Sequence, residues 1–237
     1  MYSMDNIKLD RDILKLIAVV TMFIDHIGSI IFPHIMFLRI IGRISFPIFA
    51  FMIAEGCLHT SNKIKYFINL LMFGFATQFI KIIFNDNDDL NIMFTFAAAV
   101  MIIFVYDIFI DSCKNNNAKS AVYSVLLLVV IIAAVYCINL KIPFQYEIYG
   151  CTAPLIIYLS KYIKYNDLNA LHIKILLLIL ALTSIYMYYG GVQIYAYLSV
   201  FVLMLYSGKK GKILPKYFFY AFYPLHLLLI YSIKYLI

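Results

Sequence analysis

Within the stretch FIDHIGSIIFPHIMFLRIIGRISFPIFAF, residues 23–51, four ionisable side chains stand among residues suited to lipid: Asp25, His26, Arg39 and Arg43. An ionisable group at bilayer depth costs at least a few kcal/mol, so it marks a functional site by default. A neutral imidazole in that setting can take a proton as a general base near pH 7. Arg39 and Arg43 are four residues apart and share a helix face, where two guanidiniums repel. Something anionic is therefore expected between them, a phosphate or carboxylate held bidentately. The competing reading places them at the outer interface, snorkelling to headgroups. Asp25 and His26 are adjacent, so on a helix they point about 100° apart and do not face each other. Asp25 is expected to meet an arginine of a neighbouring helix while His26 faces a cavity. The bland alternative for His26 is a hydrogen-bonding strut between helices. Two arginines nearby argue against it, since a strut needs neither.

The C-terminal stretch KYFFYAFYPLHLLLIYSIKYLI adds a second group of candidates. Pro224 falls inside the expected helix and frees a carbonyl one turn earlier, near Tyr220. Broken helices at mid-membrane depth commonly line a cavity, and His226 follows this break. Tyr220 and Tyr223 are too deep for an interfacial aromatic belt, whereas Tyr217 and Tyr235 suit one. His226, Tyr223 and Tyr220 are assigned to the substrate side. Glu55 and His59, four apart, form either a separate site or a helix-end pair; Glu55 joins the substrate-side candidates. Cys57, Cys113, Cys137 and Cys151 lack metal-ligand spacing, so no metal is expected and free thiols are the reading.

These residues must be carried by membrane helices. Of the 237 residues 65% are hydrophobic and 13% charged, with a mean hydropathy of +0.92. A soluble domain of that length has too little interior for so much apolar surface. Breaking the chain at polar and Gly/Pro points predicts an all-α, polytopic transmembrane bundle of about nine spans forming one domain, 1–237. The spans fall near 12–33, 36–57, 64–84, 90–111, 119–140, 147–163, 170–188, 191–207 and 216–236. Turn chemistry separates them at Thr60-Ser61-Asn62, the acidic run 85–89, Asn115-Asn116-Asn117, Tyr165-Asn166-Asp167, Gly190-Gly191 and 208–211. Phe32-Pro33-His34 offers no small-residue cleavage site, so the first run reads as a span rather than a signal peptide.

The net charge of +7 does not point to nucleic acid, because the basic residues are spread over loops. Lys8 and Arg11, Lys63 and Lys65, Lys114 and Lys119, Lys161, Lys164 and Lys174, and Lys209, Lys210, Lys212 and Lys216 fall at alternate ends. By the positive-inside rule the N-terminus is cytoplasmic and the C-terminus outside. At 1.5 Å per residue, His26 then lies roughly 20 Å above the inner end of the first span. Arg39 and Arg43 lie within roughly 5 to 10 Å of the outer end of the second, and His226 is about midway through the last. All are expected to meet in the outer half of the bundle.

The stretches LKLIAVVTMFIDHIG, RIIGRISFPIFAFMIAEGCLHT, NIMFTF, LYSGKKG and KYFFYAFYPLHLLLIY run in order from residue 14 to 231 and resemble the TraX family of membrane proteins, known for N-terminal acetylation of F-type pilin. Around FQYEIYGC the family tends to have Asp-Tyr-Gly, and Gln145-Tyr146-Glu147 stands there in this chain. A more distant likeness is to the membrane acyltransferases that O-acetylate surface glycans. Their first span carries an arginine, ten residues and then the essential histidine; Lys15 and His26 keep that spacing. A close arginine pair follows in that family, to which Arg39 and Arg43 are similar, one residue further apart. The resemblance implies acetyl-CoA as donor and an amine or hydroxyl of a peptide or glycan as acceptor, in a bacterial inner membrane. It assigns His26 and Asp25 to catalysis and Arg39, Arg43 and Lys15 to the donor. With no serine or cysteine beside His26, direct transfer is preferred to an acyl-enzyme.

Two other classes use the same residues. A transporter or flippase would hold an anionic cargo with the buried cations, and internal repeats would favour it; none is visible. An assembly subunit would use the polar residues only to tie helices together.

Overall fold

The computed structural model describes residues 8–86, 88–163, 170–211, 214–215 and 217–236. Asn87, Lys164, the turn at Tyr165-Asn166-Asp167, Lys212 and Lys216, all used in reading the sequence, lie outside the described residues. The described chain is all-α, with no β-strand among the described residues. Its helices are α1 (Arg11–Ile30), α2 (Met36–Gly42), α3 (Ser45–His59), α4 (Lys63–Ile83), α5 (Ile92–Lys114), α6 (Ala118–Asn139), α7 (Glu147–Tyr158), α8 (Ala170–Tyr189), α9 (Leu198–Met204) and α10 (Phe218–Leu236).

Among the described residues six segments are long and apolar enough to cross a membrane: α1, the α2–α3 pair, α4, α5, α6 and α8. Large apolar side chains stand exposed along them, such as Val122, Leu126, Val129 and Val130 on α6 and Met72, Phe75 and Phe79 on α4. Surface of that kind needs lipid, and the protein is a multi-pass membrane protein.

The other three expected spans differ from that simple picture. α7 has only 12 residues and continues as a 3₁₀ helix, Leu159–Tyr162. α9 has 7 residues and is preceded by the 3₁₀ helix Gly191–Tyr197. A 3₁₀ helix rises about 2.0 Å per residue against 1.5 Å, so each composite reaches roughly 25 Å on 14 to 16 residues. α10 is long enough, but its tyrosines, Pro224 and His226 dilute its hydropathy. The helices therefore sit where the sequence placed nine spans, and among the described residues six of them have the length and hydropathy of a simple crossing.

The chain forms two compact units, residues 1–52 with 162–237, and residues 53–161. α3 runs from the first into the second. In the first unit Asp10 caps α1, its Oδ1 accepting from the amides of Asp12 and Ile13 at 2.9 Å each. The strand-like contact of Leu9 with Tyr206, and the Ser207 amide on the Leu9 carbonyl, tie this start to the end of α9. α1 packs against α2 and α10.

The second unit is built on α5, which packs against α4, α6 and α7. Ala97, Ala98 and Ala99 are buried, the small side chains that let membrane helices approach closely. Ala98, Ile102 and Val105 join Ile131 and Val135 of α6, Phe144, and Cys151 of α7 in one apolar core. The acidic loop before α5 has an internal counter-ion: buried Lys81 pairs with Asp89 and lies 3.9 Å from Asp86. All four cysteines are free thiols.

Candidate functional site

The span read as one helix over 36–57 is broken at Arg43-Ile44. Pro47 has no N–H to donate and falls in the first turn of α3, where amides lack helical partners anyway. Ser45 Oγ donates to the Ala18 carbonyl at 2.9 Å and fixes this break against α1. Arg43 thus caps α2 rather than standing mid-helix.

Two glycines let α1 and α2 come together. A Cβ on Gly28 would lie 2.6 Å from Leu38 Cβ, and one on Gly42 would collide with the Asp25 carboxylate. The close approach brings Asp25 between the arginines. Arg43 Nη2 donates to Asp25 Oδ1 and Oδ2 at 2.6 and 2.5 Å. Arg39 Nη1 donates to the Asp25 backbone carbonyl at 3.1 Å and lies 3.0 Å from Oδ2. The anion between the guanidiniums in this structure is the protein's own. One carboxylate against two guanidiniums leaves the cluster with one net positive charge. Arg43 is the deeper member, its side chain 7% exposed against 28% for Arg39. The Asp25 carboxylate makes its ion pairs with the arginines, so Asp25 sets their position and does not orient His26.

His26 meets His226 instead. Its Nδ1 lies 2.8 Å from His226 Nε2, although 200 residues separate them in sequence. His226 Nδ1 donates to the Phe222 carbonyl at 2.9 Å. The His226 ring is buried, stacked on Phe222 at 5.1 Å and 10°, with Tyr223 at 5.3 Å and the edge of Phe23 at 6.2 Å. Tyr223, also buried, packs edge-on against His26 at 6.1 Å. Tyr220 stands one turn away beside Tyr217. The structure therefore brings together His26, His226 and Tyr223, while Asp25, one residue before His26 on α1, pairs with Arg39 and Arg43 of α2 and its C-cap.

Lys15 lies elsewhere. Eleven residues is close to three helical turns, so Lys15 and His26 share a face of α1 but stand about 16 Å apart along its axis. Its ammonium sits over the Phe219 ring of α10, 4.9 Å from the centroid. Glu55 belongs to the second unit, buried, with His59 Nε2 at 3.6 Å.

The second unit holds a polar network that sequence reasoning missed. Asp107 of α5 is buried. Tyr158 Oη donates to its Oδ2 at 2.6 Å, Lys161 Nζ donates to Oδ1 at 3.0 Å, and Lys63 pairs with the same carboxylate. Lys161 also donates to Tyr158 Oη at 2.9 Å. Asp107, like Asp25, is an acid inside an apolar run, IIFVYDIFI, where an ionisable group is costly. Its nearness to the end of the span hid it. Among the described residues no group of three or more His, Cys, Asp or Glu is placed to hold a metal.

Comparison with known proteins adds a lineage to this geometry. The family model described as TraX protein matches residues 10–234. A probable fimbrial assembly protein, FimC of serogroup H1, from Dichelobacter nodosus is 28% identical over 260 residues, covering 97% of both chains. An uncharacterized protein of Rickettsia prowazekii is 51% identical over 41 residues, 17% of this chain and 16% of that one. No solved structure matches.

Proposed function

The chain belongs to the TraX family, a pilin-related assembly and modification family, and on that premise we propose that it is an integral-membrane acetyltransferase moving an acetyl group from acetyl-CoA to an amine or hydroxyl of a peptide or glycan. The observation that carries the reading is a pair of hydrogen-bonded histidines on two helices, beside a cluster of one acid and two arginines. His26 is the general base that takes the acceptor's proton as it attacks the thioester. Arg39, the more exposed guanidinium, contacts the donor's phosphates; Arg43, held by Asp25, sustains the positive field near the developing oxyanion. Lys15 serves the donor from a lower turn of α1, and Tyr223 and Tyr220 wall the acceptor side.

Membrane orientation belongs to the same proposal: nine crossings in a bacterial inner membrane, N-terminus cytoplasmic, as the alternation of lysines along the chain favours. The fimbrial assembly role named for the Dichelobacter relative favours a peptide acceptor. The test is purified protein in detergent with acetyl-CoA and either a pilin-like N-terminal peptide or a glycan. Release of CoA with a 42-dalton gain on the acceptor (~42 Da, the mass of one acetyl replacing hydrogen) supports the reading. Binding of acetyl-CoA without any release over acceptors of both kinds contradicts it.

A further inference from the structure

The hydrogen bonds around His226 fix which nitrogen of His26 does the chemistry. A carbonyl oxygen only accepts, so His226 Nδ1, 2.9 Å from the Phe222 carbonyl, carries a hydrogen. In an uncharged ring Nε2 then holds the lone pair. That nitrogen faces His26 Nδ1 at 2.8 Å, so the hydrogen between the rings belongs to His26 Nδ1. His26 is left with its lone pair on Nε2. Exchanging the His226 nitrogens by a ring flip would bring a carbon against the Phe222 carbonyl, and the stack on Phe222 and the edge of Phe23 hold the ring as it stands.

We propose that His226 is a positioning residue: through the line Phe222 carbonyl, His226, His26 it holds His26 in the Nδ1–H tautomer and presents Nε2 as the base. This rests on the acetyltransferase reading for its consequence, not for its geometry. In the transfer, the acceptor nitrogen or oxygen bonds to the thioester carbonyl carbon and its proton passes to His26 Nε2. The C–S bond then breaks and the thiolate takes that proton, leaving the free thiol and a neutral His26. While His26 is charged, its Nδ1–H still donates to the neutral His226, which supplies the acceptor that a carboxylate supplies in a Ser-His-Asp triad. His226 thereby acts through His26 rather than on the acceptor.

The test reads the tautomer directly. The chain has five histidines, so nitrogen NMR of histidine-labelled protein in bilayers, with His26→Gln and His226→Gln to assign signals, resolves both rings. In the parent, His26 is expected to show a protonated Nδ1 and an unprotonated Nε2. In His226→Leu the fixed tautomer is lost, and in His226→Gln it is kept, because the amide oxygen accepts in place of Nε2. Turnover is expected to fall about 10- to 100-fold in the leucine variant, as for other partners that orient a functional histidine, with KM for acetyl-CoA unchanged. The glutamine variant recovers most of the loss. A His26 protonated at Nε2 in the parent overturns the proposal, as does an unchanged tautomer in His226→Leu. Should the leucine variant not fold, the parent spectrum and His226→Gln decide alone. The expected tautomers in a protein that transfers no acetyl group would keep the relay and remove the acetyltransferase reading.

Discussion

Removing the Asp25 carboxylate should cost this protein more stability than removing either arginine, and the geometry sets the scale. Arg43 Nη2 is 2.5 Å from Asp25 Oδ2, and the two side chains are 7% and 15% exposed. At an effective dielectric constant near 20, unit charges at that spacing attract by roughly 7 kcal/mol. Desolvating both ions costs several kcal/mol each, so the net worth of the intact pair is small. Breaking it is another matter, because the surviving charge stays buried; that costs about 3 to 5 kcal/mol. Asp25→Ala takes the carboxylate from between two guanidiniums, one of them buried, so it belongs at the upper end. Arg43→Ala leaves Asp25 with Arg39 and should cost about 2 to 3 kcal/mol. Arg39→Ala, at the more exposed position, should cost about 1 kcal/mol or less. The assay is reversible denaturation in mixed micelles of the single variants and of Asp25→Ala with Arg43→Ala. The double variant should be at least about 2 kcal/mol more stable than the two single losses added together. Additivity within about 0.5 kcal/mol would show that Asp25 and Arg43 are not energetically coupled and would overturn this forecast.

Three further outcomes are expected. Asp107→Ala takes the shared carboxylate from Lys63, Lys161 and the buried Tyr158 hydroxyl, and thermal unfolding should show a loss of about 2 to 4 kcal/mol. Glu147 adopts φ 49°, a left-handed backbone that suits the glycine of the family's Asp-Tyr-Gly; Glu147→Gly should be neutral or stabilising by up to about 1 kcal/mol in the same measurement. For topology, Lys210→Cys should be labelled only from the cytoplasmic side and Asp88→Cys only from outside, and the reverse pattern would overturn the orientation.

Much of this site was legible because burying charge is costly enough to be visible in one dimension. Asp25, His26, Arg39 and Arg43 stood out against lipid-compatible neighbours, and helical phase alone turned Asp25 away from His26 toward an arginine. The break at Arg43-Ile44 was less visible, since Pro47 alone does not say whether a helix bends or restarts. The His26–His226 pair could be narrowed to a shared depth but not to a hydrogen bond, because no local pattern encodes which ring nitrogen of one helix meets which of another. The same limit concealed the lysines and tyrosine converging on Asp107. Three of the nine expected spans depart from a simple apolar helix for a different reason. Hydropathy registers apolar length, whereas α7 and α9 combine α and 3₁₀ turns, and α10 carries Pro224, His226 and several tyrosines.

The decisive comparison is acetyl transfer per folded molecule by the parent and by His26→Ala, measured as CoA release. If His26 is the general base, the variant folds, inserts and binds acetyl-CoA like the parent, with turnover lower by roughly 10² to 10⁴. A His26→Ala protein that is less stable yet transfers acetyl groups at the parental rate in its folded fraction would contradict that role, and would leave His26 as a strut between helices.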